Sequence, residues 1–574
     1  MSKKEQKEKA SIAGSSEGRK PDPDLFHNHE LSLLQFNARV LDEALDERNP
    51  LLERVKFIGI VCSNLDEFYQ KRIGGLKRQV EAGVYKLSVD GLTPKKQLKI
   101  IRKEIRKMDK TIIKCLFGEL VPQLAGQGIS FRCYHELEEK QKQSVDKHYF
   151  EQIYPLLTPL AIDHSHPFPF ISNKSLSLAV ELQNPATGGT LFARLKIPSN
   201  LKRWMPVPDQ KGKRSLILIE DVIRNHLDHV FSGARVLSSH VFRVTRNADI
   251  SRNEEEADDL LEMIEEELRE RRFAEIVRVE MESDMPDHIR SMILKHLDLS
   301  EKDVYETDQP IGMADAMELY GLEGFPELRY DKWVPVPHPA FRHEGDDNPE
   351  SVFDIIKKGD ILVHHPYHSF STSVERFVRE AADDPDVMAI KQTIYRTSDD
   401  SPHLHALIRA AERGKQVAIL VELYDAARNG VKIDLIVRGI CRLRAGVKGT
   451  GGNIAVNSVI GRYLEHSRIY YFHHGGENLC YIGSADWMRR NLDKRVEVLV
   501  PVDTAPIRSY LMFVLETYLN DNSQRWALQP DGDYKRCYPK NGEPGKGAHR
   551  MFMEHTAAMG DPVPAGFETP GASI

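Results

Sequence analysis

Several features typical of secreted, metal-clustered or membrane proteins are missing from this chain. Its 574 residues include six cysteines, which are scattered and form neither a Cys-x-x-Cys pair nor a histidine–cysteine cluster. Neither a disulfide framework nor a zinc site is therefore expected, and a reducing cytoplasm fits. No apolar run approaches the ~20 residues of a membrane helix, so we expect no transmembrane segment and, at most, peripheral membrane contact. Residues 1–24 lack the apolar core of a signal peptide and are predicted to be a disordered leader.

The chain as a whole has no excess of positive charge, since its formal net charge is −7. Residues 428–495, however, contain twelve basic and five acidic side chains, so this segment carries +7 and the remainder −14. A cationic patch on an acidic body attracts an anionic ligand to one place. Non-specific nucleic-acid binding is the competing interpretation, but aromatic and basic residues do not interleave here as in single-strand binding platforms. We expect no specific nucleic-acid partner.

The length exceeds what one hydrophobic core supports, and three or four domains are expected. Hydrophobic periodicity predicts a multidomain α+β protein. The predicted parts are a leader (1–24), an N-terminal helical domain (25–128), an α+β head domain (129–340), two α/β domains (341–425 and 426–519) and a loose tail rich in Gly and Pro (520–574).

Individual strands and helices are predicted within these parts. In the head domain, apolar or alternating runs predict strands at 176–182, 191–197, 216–219, 236–245 and 275–282, with an acidic helix at 254–272. In the first α/β domain, the pattern predicts strands at 361–366, 387–396 and 416–423, alternating with helices at 373–382 and 404–413.

The residues with the clearest chemical meaning are His466 and Arg468, in the sequence GRYLEHSRIYYF. On a strand, residues two apart point to one face, so both side chains would enter one cavity. Gly483, Ser484 and Asp486 follow after about one strand and turn. Arginine holds phosphate oxygens bidentately, and imidazole moves a proton or accepts a phosphoryl group. These residues therefore suit phosphoryl transfer, with an ordinary half-buried strand histidine as the alternative.

Ordered motifs make the chain resemble the bacterial polyphosphate kinases, which extend polyphosphate from ATP and have phospholipase-D-like C-terminal domains. The motifs are Ser-Asn-Leu-Asp-Glu-Phe (63–68), Pro-Leu-Leu-Thr-Pro-Leu (155–160), His-Ser-His-Pro-Phe-Pro-Phe (164–170), Ile-Lys-Gln-Thr-Ile-Tyr-Arg (390–396), Ile-Asp-Leu-Ile-Val-Arg-Gly-Ile (433–440), Gly-Arg-Tyr-Leu-Glu-His-Ser-Arg (461–468) and Tyr-Ile-Gly-Ser-Ala-Asp-Trp-Met (481–488). The resemblance implies that the α/β domains are phospholipase-D-like and that the chain reversibly transfers the terminal phosphate of ATP to polyphosphate through a phosphohistidine.

The resemblance also implies roles for single residues. Asn64, Arg438 and His466 match ATP-contacting positions, and Arg396 matches a magnesium-site position. His466 and Arg468 are the expected catalytic residues. The implied partners are ATP or ADP, Mg²⁺ and inorganic polyphosphate, and the implied assembly is a cytoplasmic homo-oligomer.

An internal block of the family pattern is missing. No Ala-Arg-Phe-Asp-Glu segment, Thr-His-x-Lys motif or Gly-Thr-Gly-Asn-Tyr-Asn motif occurs after residue 423, and the family's phosphorylated histidine belongs to the second of these. Residues 406–423 and 422–439 instead read as two copies of one helix–strand unit, spliced so that only 424–431 separates their strands. The first phospholipase-D-like domain is therefore predicted to be truncated, and a natural hairpin through Asn429-Gly430 is the alternative.

Three hypotheses about activity stay open. In the first hypothesis, the chain belongs to the kinase family, but its shortened form has lost much or all of the catalytic rate. Alternatively, two copies join their His466 half-sites across a two-fold axis as a phospholipase-D-like phosphotransferase or hydrolase. The third hypothesis is a non-catalytic protein that binds polyphosphate or ATP through the +7 segment.

Overall fold

The chain divides into two compact units, Met1–Asp331 and Lys332–Ile574. The computed structural model describes residues 23–162, 168–184, 188–209, 213–248, 274–342, 350–374, 376–377, 380, 432–439, 441, 443–446, 452–474, 477–484, 498–540 and 542–558.

The first unit begins with helices, as the apolar spacing predicts. Its helices are α1 (His29–Leu45), α2 (Leu51–Phe68), α3 (Gly74–Glu81), α4 (Pro94–Ile113), α5 (Val121–Gly126), α6 (Glu139–His148), α7 (Ile219–Asn225), α8 (Leu227–Val230), α9 (Asp287–His296) and α10 (Met317–Tyr320). Asn28 caps α1 by accepting the Glu30 and Leu31 N–H groups at 3.0 and 3.1 Å. Such caps satisfy donors that a helix start leaves unpaired.

Two sheets complete the first unit. Their strands are β1 (Ile129–Arg132), β2 (Pro159–Ile162), β3 (Leu176–Gln183), β4 (Thr190–Lys196), β5 (Trp204–Val207), β6 (Arg214–Leu218), β7 (Arg235–Arg246), β8 (Ile276–Glu282) and β9 (Val304–Thr307). The larger sheet has the order β2-β4-β3-β7-β8-β9, and the smaller one has the order β1-β6-β5. A strand lies at each of the five positions predicted for the head domain, so the α+β class is confirmed.

The larger sheet is buried on both faces because side chains alternate along its central strands. Leu178 and Val180 of β3 join one hydrophobic cluster, whereas Ala179 joins another. The second cluster includes Phe242 of β7 and Ile293 of α9, each fully buried. This arrangement explains why β3 has three consecutive buried apolar residues, Leu178–Val180, rather than a strict alternation.

The second unit contains two small sheets and three helices whose bounds the structure gives. Its elements are α11 (Val352–Lys357), β10 (Ile433–Ile436), β11 (Ile454–Val459), β12 (Ile469–His474), β13 (Glu477–Gly483), β14 (Leu499–Pro501), α12 (Ala505–Leu519), β15 (Arg525–Leu528), β16 (Tyr534–Arg536) and α13 (Ala548–Ala558). One sheet has the order β10-β11-β15-β16, with β10 parallel to β11, and the other is an antiparallel β12-β13-β14 meander. Residues 374, 376, 377 and 380 are also helical, at the position of the helix predicted at 373–382.

The expectation of a loose tail after residue 519 is wrong for residues 520–540 and 542–558. β15 pairs antiparallel with β11, and Phe552 of α13 is fully buried in one cluster with Val514 of α12. The Asp521 carboxylate accepts the Ala548 N–H at 2.7 Å and so ties the start of α13 to the end of α12. Gly and Pro mark the turns of this segment, while a few apolar residues at distant positions provide its packing.

The strand predicted at 361–366 is also absent, since this part of the chain is irregular. The N–H groups of Tyr367 and His368 both donate to the His364 carbonyl, at 3.1 and 2.9 Å, and close a turn. Pro366 has no N–H to offer a sheet. The apolar run Ile361–Val363 lies in a loop, and its partly buried side chains pack against two small hydrophobic clusters.

Other predictions lie outside the described residues. They concern the helix at 254–272, the strands at 387–396 and 416–423, the helix at 404–413, the junction at 424–431 and the side chains of Arg396 and Asp486. In the part of the chain that is described, no helix is both long and apolar enough for a membrane crossing.

Candidate functional site

Two predicted site residues follow the carboxyl ends of neighbouring parallel strands in the second unit. Arg438 comes two residues after β10, and the segment with His466 follows β11. Carboxyl ends of adjacent parallel strands meet at one edge of a sheet, where ligands of α/β folds gather. The Arg438 guanidinium donates a hydrogen bond to the Glu465 carbonyl. Strand topology and this contact therefore bring Arg438 next to the His466 segment.

His466 and Arg468 are in direct contact, although they are not on a strand. β12 begins at Ile469, so both residues lie in the loop that leads into it, and the predicted strand position is wrong by a few residues. Arg468 Nη1 lies 2.7 Å from His466 Nδ1 and also donates to the His466 carbonyl at 3.0 Å. A guanidinium only donates, so Nδ1 accepts and a neutral His466 carries its proton on Nε2. This tautomer makes His466 a hydrogen-bond donor through Nε2.

Both side chains line one cavity of about 220 Å³ in the second unit. Its wall consists of Leu362, Val363, His364, His466, Ser467, Arg468, Ile469, Ile482, Gly483, Tyr510, Leu511 and Val514. The volume is below the roughly 300–1,000 Å³ of pockets that enclose a whole drug-sized ligand. It suits a terminal phosphoryl group better than a complete nucleotide.

The loop is held in place by the half-buried carboxylate of Glu465. Glu465 Oε1 lies 2.6 Å from His549 Nε2, and the Tyr518 hydroxyl donates to the same carboxylate. Burial opposes ionisation of Glu465, but the hydrogen bonds from His549 and Tyr518 hold its pKa below the ordinary value. The carboxylate is therefore ionised and already occupied, and it orients the backbone next to His466.

A second histidine in the cavity wall was not predicted as a site residue. His364 is half-buried, and its Nδ1 lies 3.0 Å from the Tyr510 hydroxyl. Burial lowers the pKa of His364 to about 4, so the ring is neutral at pH 7. The run His364-His365-Pro366-Tyr367-His368 is the sequence signal that could have drawn attention to it.

Asn64 belongs to the first unit and lies near the end of α2. Its side-chain amide donates to Asn37 Oδ1 at 2.9 Å. Two residues later, the buried Asp66 carboxylate pairs with the guanidinium groups of Arg243 and Arg278. This part of the Ser-Asn-Leu-Asp-Glu-Phe motif thus connects α2 to strands β7 and β8 of the larger sheet through ion pairs.

The side chains of the described cavity wall show whether this cavity could hold a magnesium ion. That wall contains imidazole, guanidinium and hydroxyl groups but no carboxylate, whereas Mg²⁺ prefers carboxylate and phosphate oxygens. The described wall of this cavity therefore does not form a protein-held magnesium site, and a metal ion there would arrive with the phosphates of the substrate. Ser484, beside the cavity residue Gly483, accepts the Val498 N–H at 2.9 Å.

Sequence models of four domain families match the chain in order. They are the polyphosphate kinase N-terminal domain (residues 26–132), middle domain (140–319), C-terminal domain 1 (351–435) and C-terminal domain 2 (402–547). Together the matches cover most of the chain and both compact units.

Curated relatives and a solved structure agree with these matches. The chain is 38% identical to a polyphosphate kinase of Synechocystis sp., with 94% of this chain and 97% of the relative covered. It is 36% identical to polyphosphate kinase 1 of Chlorobaculum tepidum, covering 93% and 97%. The crystal structure of a polyphosphate kinase from Porphyromonas gingivalis superposes with a TM-score of 0.75 at 22% identity, covering 93% of this chain and 99% of that one, which supports the fold.

The matches also bear on the missing block. The two C-terminal domain models overlap at residues 402–435, the region of the repeated helix–strand unit. The Synechocystis alignment extends over 704 positions yet takes in 94% of 574 residues, that is about 540, so about 160 positions have no residue here. That number of positions equals the length of a small domain.

Proposed function

Because the chain belongs to the polyphosphate kinase family, whose members are phosphotransferases, we propose that it transfers the terminal phosphate of ATP to inorganic polyphosphate, reversibly and through a phosphohistidine. The observation that carries the proposal is the cavity in which His466 and Arg468 are in direct contact, with Arg438 beside them at the sheet edge. Phosphoryl transfer needs positioning and charge stabilisation more than covalent chemistry from the protein.

Each side chain has a defined task in this proposal. Arg468 is held against His466 and would bind an equatorial phosphate oxygen through its guanidinium group. His466 would donate its Nε2 proton in a hydrogen bond to a second oxygen, where negative charge develops. Arg438 adds a positive charge at the sheet edge. Magnesium would enter the site as part of the MgATP substrate.

The missing block makes activity the decisive property to measure. Purified chain is incubated with MgATP labelled in the γ-phosphate and a polyphosphate primer, and labelled polymer and acid-labile protein label are quantified. We expect both products, and we expect His466→Asn and Arg468→Gln to lower polymer formation by about 100-fold or more. Arg462→Gln is the matched control, because the Arg462 guanidinium packs over the Tyr463 ring, 5.4 Å from its centroid, outside the cavity wall.

The absence of polymer and protein label from a folded chain would overturn the kinase proposal. Polyphosphate binding that weakens with salt would then support the non-catalytic alternative, in which the +7 segment captures the polymer. If a mixture of His466→Ala and Arg468→Ala chains regains activity, the site is shared between two copies.

We also propose a cytoplasmic homo-oligomer with, at most, peripheral membrane contact. Free thiols at all six cysteines support a reducing compartment. Light scattering on the purified chain tests the oligomer, and a monomer at micromolar concentration would contradict it.

A further inference from the structure

The cavity wall contains two imidazoles whose surroundings differ. His466 Nδ1 accepts a hydrogen bond from Arg468, so the neutral ring carries its proton on Nε2. A protonated nitrogen has no lone pair for attack on phosphorus, and a neighbouring guanidinium withdraws electron density from the ring. His466 is therefore suited to donate a hydrogen bond through Nε2 and unsuited to accept a phosphoryl group.

His364 has the opposite environment. Its Nδ1 is paired with the Tyr510 hydroxyl at 3.0 Å, and the ring packs against Phe552, with 5.3 Å between centroids. If Nδ1 carries the proton and the tyrosine oxygen accepts it, Nε2 keeps its lone pair. Nε2 makes no hydrogen bond to any residue that the structure describes. The half-buried ring is neutral at pH 7, since burial lowers its pKa to about 4.

We propose that His364 Nε2 is the phosphoryl acceptor in this shortened chain, taking the place of the histidine that the missing block would supply. The inference rests on the proposed kinase function and names the nucleophile of the same site. His364 and His466 line one cavity whose volume suits a terminal phosphoryl group, so one ring attacks while the other donates to the phosphate oxygens.

The step balances without a further reactant. The Nε2 lone pair forms an N–P bond to the γ-phosphorus of ATP, the bond from that phosphorus to the β,γ-bridging oxygen breaks, and ADP leaves with the electron pair. The ring then carries one positive charge, with its Nδ1 proton held by the Tyr510 oxygen. In the second half, a terminal oxygen of polyphosphate attacks the phosphorus, the N–P bond breaks, and neutral His364 returns.

The test locates the label rather than only measuring activity. The full chain is treated with γ-labelled MgATP and, separately, with potassium phosphoramidate, a small phosphoryl donor that needs no nucleotide site. Base-stable, acid-labile phosphate is then mapped by mass spectrometry. We expect label on His364 from both donors, lost by at least about 1,000-fold in His364→Gln. His365→Gln is the matched control, because the adjacent imidazole lies outside the cavity wall.

The position and source of the label distinguish the His364 inference from the kinase proposal. Label on His466 or another residue, or full labelling of His364→Gln, overturns the inference and leaves the kinase proposal standing. Label on His364 from phosphoramidate but none from MgATP supports the nucleophile and overturns the kinase proposal. No label from either donor overturns both. Tyr510→Phe tests whether the Tyr510 hydroxyl orients the His364 ring. We expect slower labelling of His364 in this variant, while its unfolding midpoint stays within the range of the His365→Gln control.

Discussion

His549 Nε2 of helix α13 lies 2.6 Å from Glu465 Oε1, next to His466 in the chain. The imidazole is almost fully buried, with 2% of its side chain exposed. A residue near the C-terminus of the described chain thereby fixes the backbone of the cavity loop. Helix α13 thus supports the site, because removal of His549 would leave the largely buried Glu465 charge without this partner.

We expect His549→Ala to lower the free energy of unfolding of the second unit by about 2–4 kcal/mol, because Glu465 loses its buried partner. His549→Gln retains a donor and should recover part of the loss. Urea unfolding measures the change. Arg550→Ala, next on the same helix and largely exposed, is the control and should leave the unfolding midpoint unchanged. Equal effects of His549→Ala and Arg550→Ala would contradict the role of the contact.

Stability of the second unit should fall as the pH drops from about 6.5 towards 3. Burial lowers the pKa of His364 to about 4 and that of His368 to about 3. Below the ordinary histidine pKa of about 6.5 the unfolded chain takes up protons that the folded chain excludes, so protonation favours unfolding. Hydrogen exchange of peptides from α12 and α13 at pH 7 and pH 5 measures the loss.

His368→Gln should make that pH dependence shallower, since one of the two excluded protons is removed. His368 is 1% exposed, and its Nδ1 accepts the His364 N–H at 2.9 Å. The exposed His365→Gln is the control and should retain the slope of the unchanged chain. A pH slope that is identical in all three proteins would show that these imidazoles do not exclude protons.

Asp66→Asn should destabilise the first unit by about 2–4 kcal/mol, because the buried Arg243 and Arg278 lose one of their two shared carboxylates and keep only Glu280. The two guanidinium groups hold the pKa of Asp66 far below its usual range despite burial, so the carboxylate is ionised at pH 7. The next residue offers a matched control: Glu67 forms an exposed ion pair with Lys71, and Glu67→Gln should cost less than about 1 kcal/mol. Urea unfolding followed by circular dichroism compares the two.

Gly461→Ala tests the close packing beneath the site loop. A Cβ at Gly461 would overlap the Gln524 side-chain amide and lie 3.1 Å from His549 Nδ1, so these side chains must shift. We expect a loss of about 1–3 kcal/mol in stability. At Gly439 a Cβ meets no atom within 4 Å, and Gly439→Ala should change stability by less than about 1 kcal/mol. A similar loss in both variants would refute the packing argument.

The sequence by itself determined the helices of the N-terminal domain, the five predicted strands of the head domain and the family. Each of these depends on local periodicity or on ordered motifs, which a linear chain displays directly. It also identified His466 and Arg468, because their side-chain chemistry is visible without coordinates.

Only the tertiary structure decided which residues surround that pair. His364, Tyr510 and His549 lie far from His466 along the chain, and no local pattern links them to it. The segment at 361–366 has the apolar composition of a strand but folds as a loop, since Pro366 and the turn at His364 prevent pairing. The tail has turn-rich composition but packs through Phe552 and β15, because contacts between distant residues override local preference.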